Sequence, residues 1–128
     1  MIVSIGVDAI EIARIRRLWQ NGEPGGTRFV ERVYTQAEGT YCVSRFDPPE
    51  SLAARFAAKE AAMKCLGTGW TDGLAFRQIE VRRRESGDPE LVLHGRAAER
   101  AEELGIRSWH VSLTHTELTA TAFVIAES

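Results

Sequence analysis

With 128 residues, 44% of them apolar and 27% charged, the chain has the balance of one folded domain, which excludes a disordered tail and a membrane protein. A net charge of −2 argues against nucleic acid as the main partner, because binding a phosphate backbone calls for a basic excess. Charges break every apolar stretch well before the ~20 residues needed to span a bilayer, and MIVSIGVD carries no basic leader, so a cytoplasmic location is expected.

In chain order, Val3, Ile5 and Val7 alternate with Ser4, Gly6 and Asp8. This predicts a strand whose valine and isoleucine face is buried, with Asp8 at its end on the other face. From Ile10 the period changes: Ile12, Ile15 and Trp19 recur at helical spacing, while Arg14, Arg17 and Asn21 share a different face. GEPGG then breaks the chain. Residues 28 to 44 read as helical in part, with Thr35 and Glu38 at capping-box spacing. The DPP turn is followed by a helix from about Ser51 to Leu66, which Gly67 ends.

Beyond GTGWTDG, Ile79 and Val81, the SGDP turn, and Leu91 and Leu93 predict a β-hairpin. GRAAERAEELG predicts a short helix ended by Gly105. Trp109, Val111 and Leu113, a turn near HTEL, and Thr121, Phe123 and Ile125 predict a second hairpin. No repeat or linker divides the chain, so residues 1–128 form one α+β domain of antiparallel hairpins packed with helices around one long central helix. Cys42 and Cys65 have no metal-binding spacing and are expected to be reduced thiols.

The central helix carries charges although its run of alanines suits it to packing. Phe56, Glu60 and Lys64 follow one another at i, i+4 and i+8, so they share a stripe. A plain ion pair between Glu60 and Lys64 would contribute about 0.3–0.5 kcal/mol at a surface. The alanines at 53, 54, 57, 58, 61 and 62 place this helix inside the molecule, where charges need partners. Asp8 is one candidate partner. Asp8 and Glu60 together would offer two hard oxygen ligands, too few for a calcium cage but suited to Mg²⁺ with a substrate phosphate, which Lys64 would neutralise. The other reading of Asp8, an N-cap of the following helix, stands beside this one.

GVDAIEIARI, RFAAKEAAMKCLGTG and WHVSLTHTELTATAFVIAE together resemble the holo-(acyl-carrier-protein) synthase family, the small 4′-phosphopantetheinyl transferases. FVERVYTQAE, IEVRR and LHGRAAERAEELG fit the intervening pattern, so the resemblance spans nearly the whole chain. It implies transfer of phosphopantetheine from coenzyme A to a serine of an apo acyl carrier protein, in fatty acid or polyketide biosynthesis, with release of adenosine 3′,5′-bisphosphate. Asp8 and Glu60 match the family's magnesium ligands and Lys64 its active-site lysine. Arg55, Ser112 and His115 match positions that contact coenzyme A, and the family assembles as a homotrimer with clefts between subunits. Carrier proteins of this kind resemble acidic helical bundles, which makes the Arg14, Arg17 and Asn21 stripe the expected carrier surface; without that partner it is a solvated face. The alternative to an enzyme is a catalytically inactive subunit of the same fold that binds coenzyme A or a nucleotide.

Overall fold

Strand β1 (Ile2–Glu11) runs directly into helix α1 (Ile12–Asn21). The computed structural model describes residues 1–21 and 27–128, and the GEPGG break lies outside them. Helices α2 (Thr27–Val33), α3 (Gln36–Val43) and α4 (Pro48–Leu66) follow. A single 3₁₀ turn at Phe76–Gln78 leads into β2 (Ile79–Arg83), which pairs antiparallel with β3 (Pro89–Leu93). Then come α5 (Gly95–Glu103) and the hairpin of β4 (Ser108–His115) and β5 (Thr119–Glu127). The fold is α+β. Its larger sheet is antiparallel in the order β1-β5-β4, so the first strand lies beside the last.

Local chemistry sets the helix ends. Thr35 caps α3: its side chain accepts from the Glu38 N–H, and the Glu38 carboxylate accepts from the Thr35 N–H, which completes the expected capping box. Helix α4 starts at Pro48, three residues before the position expected from sequence. The DPP segment begins the helix because a proline in the first turn has its φ preset and lacks an N–H that would have no partner there. It ends where Gly67 turns left-handed at φ 77° and donates to the Met63 carbonyl.

Helix α4 lies across one face of the three-stranded sheet, with Ala53, Ala57, Ala58, Ala61 and Ala62 fully covered. From the sheet, Gly6 and Ile10 of β1 and Ala120, Ala122, Val124 and Ala126 of β5 meet it. This overturns the expected orientation of β1. The alternation is as predicted, but the covered side is Ser4, Gly6, Asp8 and Ile10. Val3, Ile5 and Val7 are 39%, 56% and 50% exposed on the other side, beside Phe123 at 45%. The reason is the closeness of the packing: a Cβ on Gly6 would stand 2.0 Å from the Ala61 carbonyl oxygen. Only the small-residue side of the strand can approach the alanine helix so closely. No helix among the described residues is long and apolar enough to cross a membrane.

Candidate active site

The Gly6–Ala61 contact fixes how β1 runs along α4. Ser4 Oγ donates to the Cys65 carbonyl at 3.0 Å, and Gly6 meets Ala61 one helical turn earlier. Two strand residues advance about 6.6 Å and one helical turn about 5.4 Å, so Asp8 comes level with the turn of α4 that carries Glu60. Lys64 closes the arrangement. Its Nζ donates to Asp8 Oδ1 at 3.1 Å and to the Val7 carbonyl at 2.9 Å. The ammonium turns to the strand and makes no ion pair with Glu60. Glu60 is half-buried and has no hydrogen-bond or ion-pair partner among the described residues.

Asp8 lies within β1, four residues before α1 begins at Ile12, which removes the N-cap reading. The strand presents this carboxylate toward α4, half-buried. The Asp8 carboxylate and the Lys64 ammonium thus meet at one rim of the covered face, along the stretch of α4 that carries Glu60. Among the described residues no group of three or more His, Cys, Asp or Glu side chains forms a metal cage. A divalent cation held by Asp8 and Glu60 would therefore take its other ligands from water and substrate, a donor set that suits Mg²⁺.

The remaining expected residues are more widely spread. Arg55 is only 6% exposed, so it does not reach out to solvent; it stacks its guanidinium on Tyr41 at 4.4 Å and donates to Ser51 Oγ. Its buried Nε has no partner among the described residues. Arg45 and Arg83 also stand over the Tyr41 ring, and Arg83 donates to the Tyr41 hydroxyl at 2.6 Å. This basic group around one tyrosine comes from the turn after α3, from α4 and from β2, and no spacing in the sequence announced it. His115 reaches the first turn of α4, with Nε2 3.4 Å from Glu50, and borders a cleft of about 420 Å³ shared with Arg45, Asp47 and Ser51. Ser112 pairs with Phe123 on the open face of the sheet. On α1, Arg14, Arg17 and Asn21 are exposed as expected, and the Arg14 guanidinium sits 5.9 Å from the ring centre of Phe56, one turn before Glu60. Arg16, between them, pairs with both carboxylate oxygens of Asp47 and holds that carboxyl below its ordinary range.

Lys59 is the charge that pattern reading passed over. It is fully buried, and burial pushes its pKa down against the opposing pull of Glu38. Its ammonium donates to Glu38 Oε1 at 2.7 Å, the Phe76 carbonyl at 3.0 Å and the Ile79 carbonyl at 2.5 Å. The available signal was its position one residue off the Phe56, Glu60 and Lys64 stripe, where a lysine has to point into the protein.

A small α+β domain, with two carboxylates and a lysine where its first strand crosses its central helix, is the frame of one transferase class. The family model described as the 4′-phosphopantetheinyl transferase superfamily matches residues 4–121, and the chain belongs to that family. It is 47% identical over 127 residues to the holo-[acyl-carrier-protein] synthase of Koribacter versatilis, covering 99% of each chain. Among solved structures it resembles the holo-[acyl-carrier-protein] synthase of Neisseria meningitidis, with TM-score 0.87, 36% identity and complete coverage of both chains. It is also similar to that of Bacillus anthracis in complex with CoA (3′,5′-ADP), with TM-score 0.81, 34% identity, and coverage of 100% of this chain and 98% of that one.

Proposed function

We propose that the protein transfers 4′-phosphopantetheine from coenzyme A to a serine of an apo acyl carrier protein. The holo carrier and adenosine 3′,5′-bisphosphate are the products. Beside the family membership, the strongest support is the meeting of Asp8 and Lys64 one helical turn from Glu60, which has no partner among the described residues.

The serine oxygen bonds to the pantetheine phosphorus as the bond from that phosphorus to the bridging oxygen of the pyrophosphate breaks, and the bridging oxygen leaves with adenosine 3′,5′-bisphosphate. The reaction needs charge neutralisation, alignment and removal of one proton. Asp8 and Glu60 would hold Mg²⁺, which when bound supplies positive charge to the pyrophosphate oxygens. Glu60, without a hydrogen-bond or ion-pair partner among the described residues, stands to accept the serine proton. Lys64 already holds its ammonium at this site and would stabilise the departing bisphosphate. Arg55, whose buried Nε has no partner among the described residues, and His115 are assigned to phosphate oxygens of coenzyme A. The exposed stripe of Arg14, Arg17 and Asn21, with Arg14 over Phe56, is assigned to the acidic carrier.

The working form is a homotrimer built on the open apolar face of the sheet. Val3, Ile5, Val7 and Phe123 form a patch of the kind that marks an interaction surface, and Ser112 lies on it, so one subunit would bring its Ser112 to a neighbour's site. Two free, buried thiols, Cys42 and Cys65, suit the reducing cytoplasm.

The deciding experiment incubates the protein with coenzyme A, Mg²⁺ and a panel of apo carrier proteins and reads each carrier's mass. A gain of one phosphopantetheine arm is expected, lost in chelator and restored by Mg²⁺. No gain on any carrier, with coenzyme A still bound, would leave the inactive binding subunit.

A further inference from the structure

Helix α4 presents alanines on its covered side, and alanine surfaces offer few knobs to lock a helix against rotation or sliding. The polar group around Lys59 supplies such a lock. Lys59 uses all three of its donors on Glu38, Phe76 and Ile79. Glu38 is itself buried and is filled from three elements: the Thr35 N–H at the start of α3, Lys59 of α4, and the Val81 N–H of β2 at 2.8 Å. Thr35 continues the network by donating to Glu80, which holds His94 and Arg82. One ammonium and one carboxylate thereby tie α3, α4, the 3₁₀ turn and β2 together.

A buried ion pair is weak as a source of stability, since well-packed apolar residues often do as well. Its use lies in fixing one arrangement. Glu60 follows Lys59 in the chain, about 100° further round the helix, so whatever sets the rotation of Lys59 also aims Glu60. On the other side of α4, the Gly6–Ala61 and Ser4–Cys65 contacts set its distance from β1 but leave Glu60 without a partner among the described residues. We propose that the buried Lys59–Glu38 pair is a positioning device for the reaction: it sets the rotation of α4 and so where the Glu60 carboxylate stands relative to Asp8. The proposal rests on the reading of Asp8 and Glu60 as holders of a divalent cation.

The test uses Mn²⁺ as the probe, followed by its electron paramagnetic resonance signal, alongside turnover. Lys59→Met with Glu38→Gln removes both charges together. Glu38→Gln alone keeps the shape but exchanges one accepting oxygen for an amide donor, which cannot serve both Lys59 and the Val81 N–H, so it loosens the pair by a second route should the double variant fail to fold. Ile106→Ala, a core truncation beyond α5, is the control for loss of stability alone. Each is measured at a temperature where melting curves show it fully folded. Changing residues that hold a metal's ligands in place typically costs 10–100-fold in affinity or activity. The double variant is expected to bind Mn²⁺ at least about tenfold more weakly and to lose kcat by a similar factor, with KM for coenzyme A within a few-fold of the parent. Glu38→Gln should shift both in the same direction by about threefold or more, and Ile106→Ala should shift neither. Parent-like Mn²⁺ affinity and kcat in the folded charge variants, while Asp8→Asn and Glu60→Gln weaken Mn²⁺ binding, overturn the positioning role alone. Mn²⁺ affinity indifferent to Asp8→Asn and Glu60→Gln overturns the site reading and the positioning role with it.

Discussion

The two faces of the three-stranded sheet invert a common expectation. On β1 and β5 the side under α4 carries Ser4, Gly6, Asp8 and Ile10 with Ala120, Ala122, Val124 and Ala126, whereas the bare side carries Val3, Ile5, Val7 and Phe123; larger side chains packed against the core, Trp109, Val111 and Leu113, come from β4. On these two strands bulk is kept outside and smallness inside. The covered face needs close backbone approach, since that approach carries Asp8 to the turn of Glu60 and Lys64. The bare face has the large apolar area on which a second copy can be held.

Four changes test that contrast, from the largest effect to the smallest. Gly6→Leu strikes the covered face where a Cβ would already stand 2.0 Å from a backbone oxygen. Overpacking of this kind is expected to cost more than about 3 kcal/mol and to remove the cooperative thermal transition. An unchanged Tm would contradict the closeness of the contact. Val7→Lys with Phe123→Lys strikes the bare face instead. The circular dichroism of a folded chain should persist while light scattering falls to the mass of one subunit, and turnover should drop at least about tenfold, or ~1.4 kcal/mol. A trimer mass in this variant would sink the assignment of that face.

At the rim between the two faces, Asp8→Asn and Glu60→Gln keep shape and remove charge. Each should lower kcat by at least about tenfold without lowering Tm, and parent-like kcat in both would undo the site. Furthest from the sheet, Arg14→Glu with Arg17→Glu should raise KM for the carrier about tenfold, ~1.4 kcal/mol, in a salt-sensitive way, with coenzyme A affinity within a few-fold of the parent. Varying each substrate in turn decides it; an unmoved carrier KM returns both arginines to solvent.

Much of this organisation is legible in the chain. The element order, both hairpins, the Thr35 and Glu38 cap and the Gly67 stop follow from turn and capping chemistry, which acts locally. The side of β1 that packs does not, because a period of two states that two faces exist without saying which meets a partner. Here the partner is an alanine helix, and fit outweighed side-chain hydrophobicity. The Asp8 and Lys64 meeting is legible through the stripe on α4. The missing Glu60–Lys64 pair and the saturated Lys59 are not, since both depend on neighbours brought from far along the chain: Val7 and Asp8 in one case, Glu38, Phe76 and Ile79 in the other.

The Lys64 contact with the Val7 carbonyl reaches beyond chemistry. Strand β1 lies at the edge of its sheet, and an edge strand offers its unpaired backbone groups to any passing chain as a template for aggregation. A lysine placed on such a strand's carbonyl is a guard against that fate. In the proposed reaction the ammonium would turn to a substrate phosphate, and the guard would lift. Lys64→Met is therefore expected to form insoluble material faster than the parent on storage at equal concentration, a loss of solubility separate from any loss of turnover; turbidity equal to the parent's over the same period would show that the edge is protected by other means.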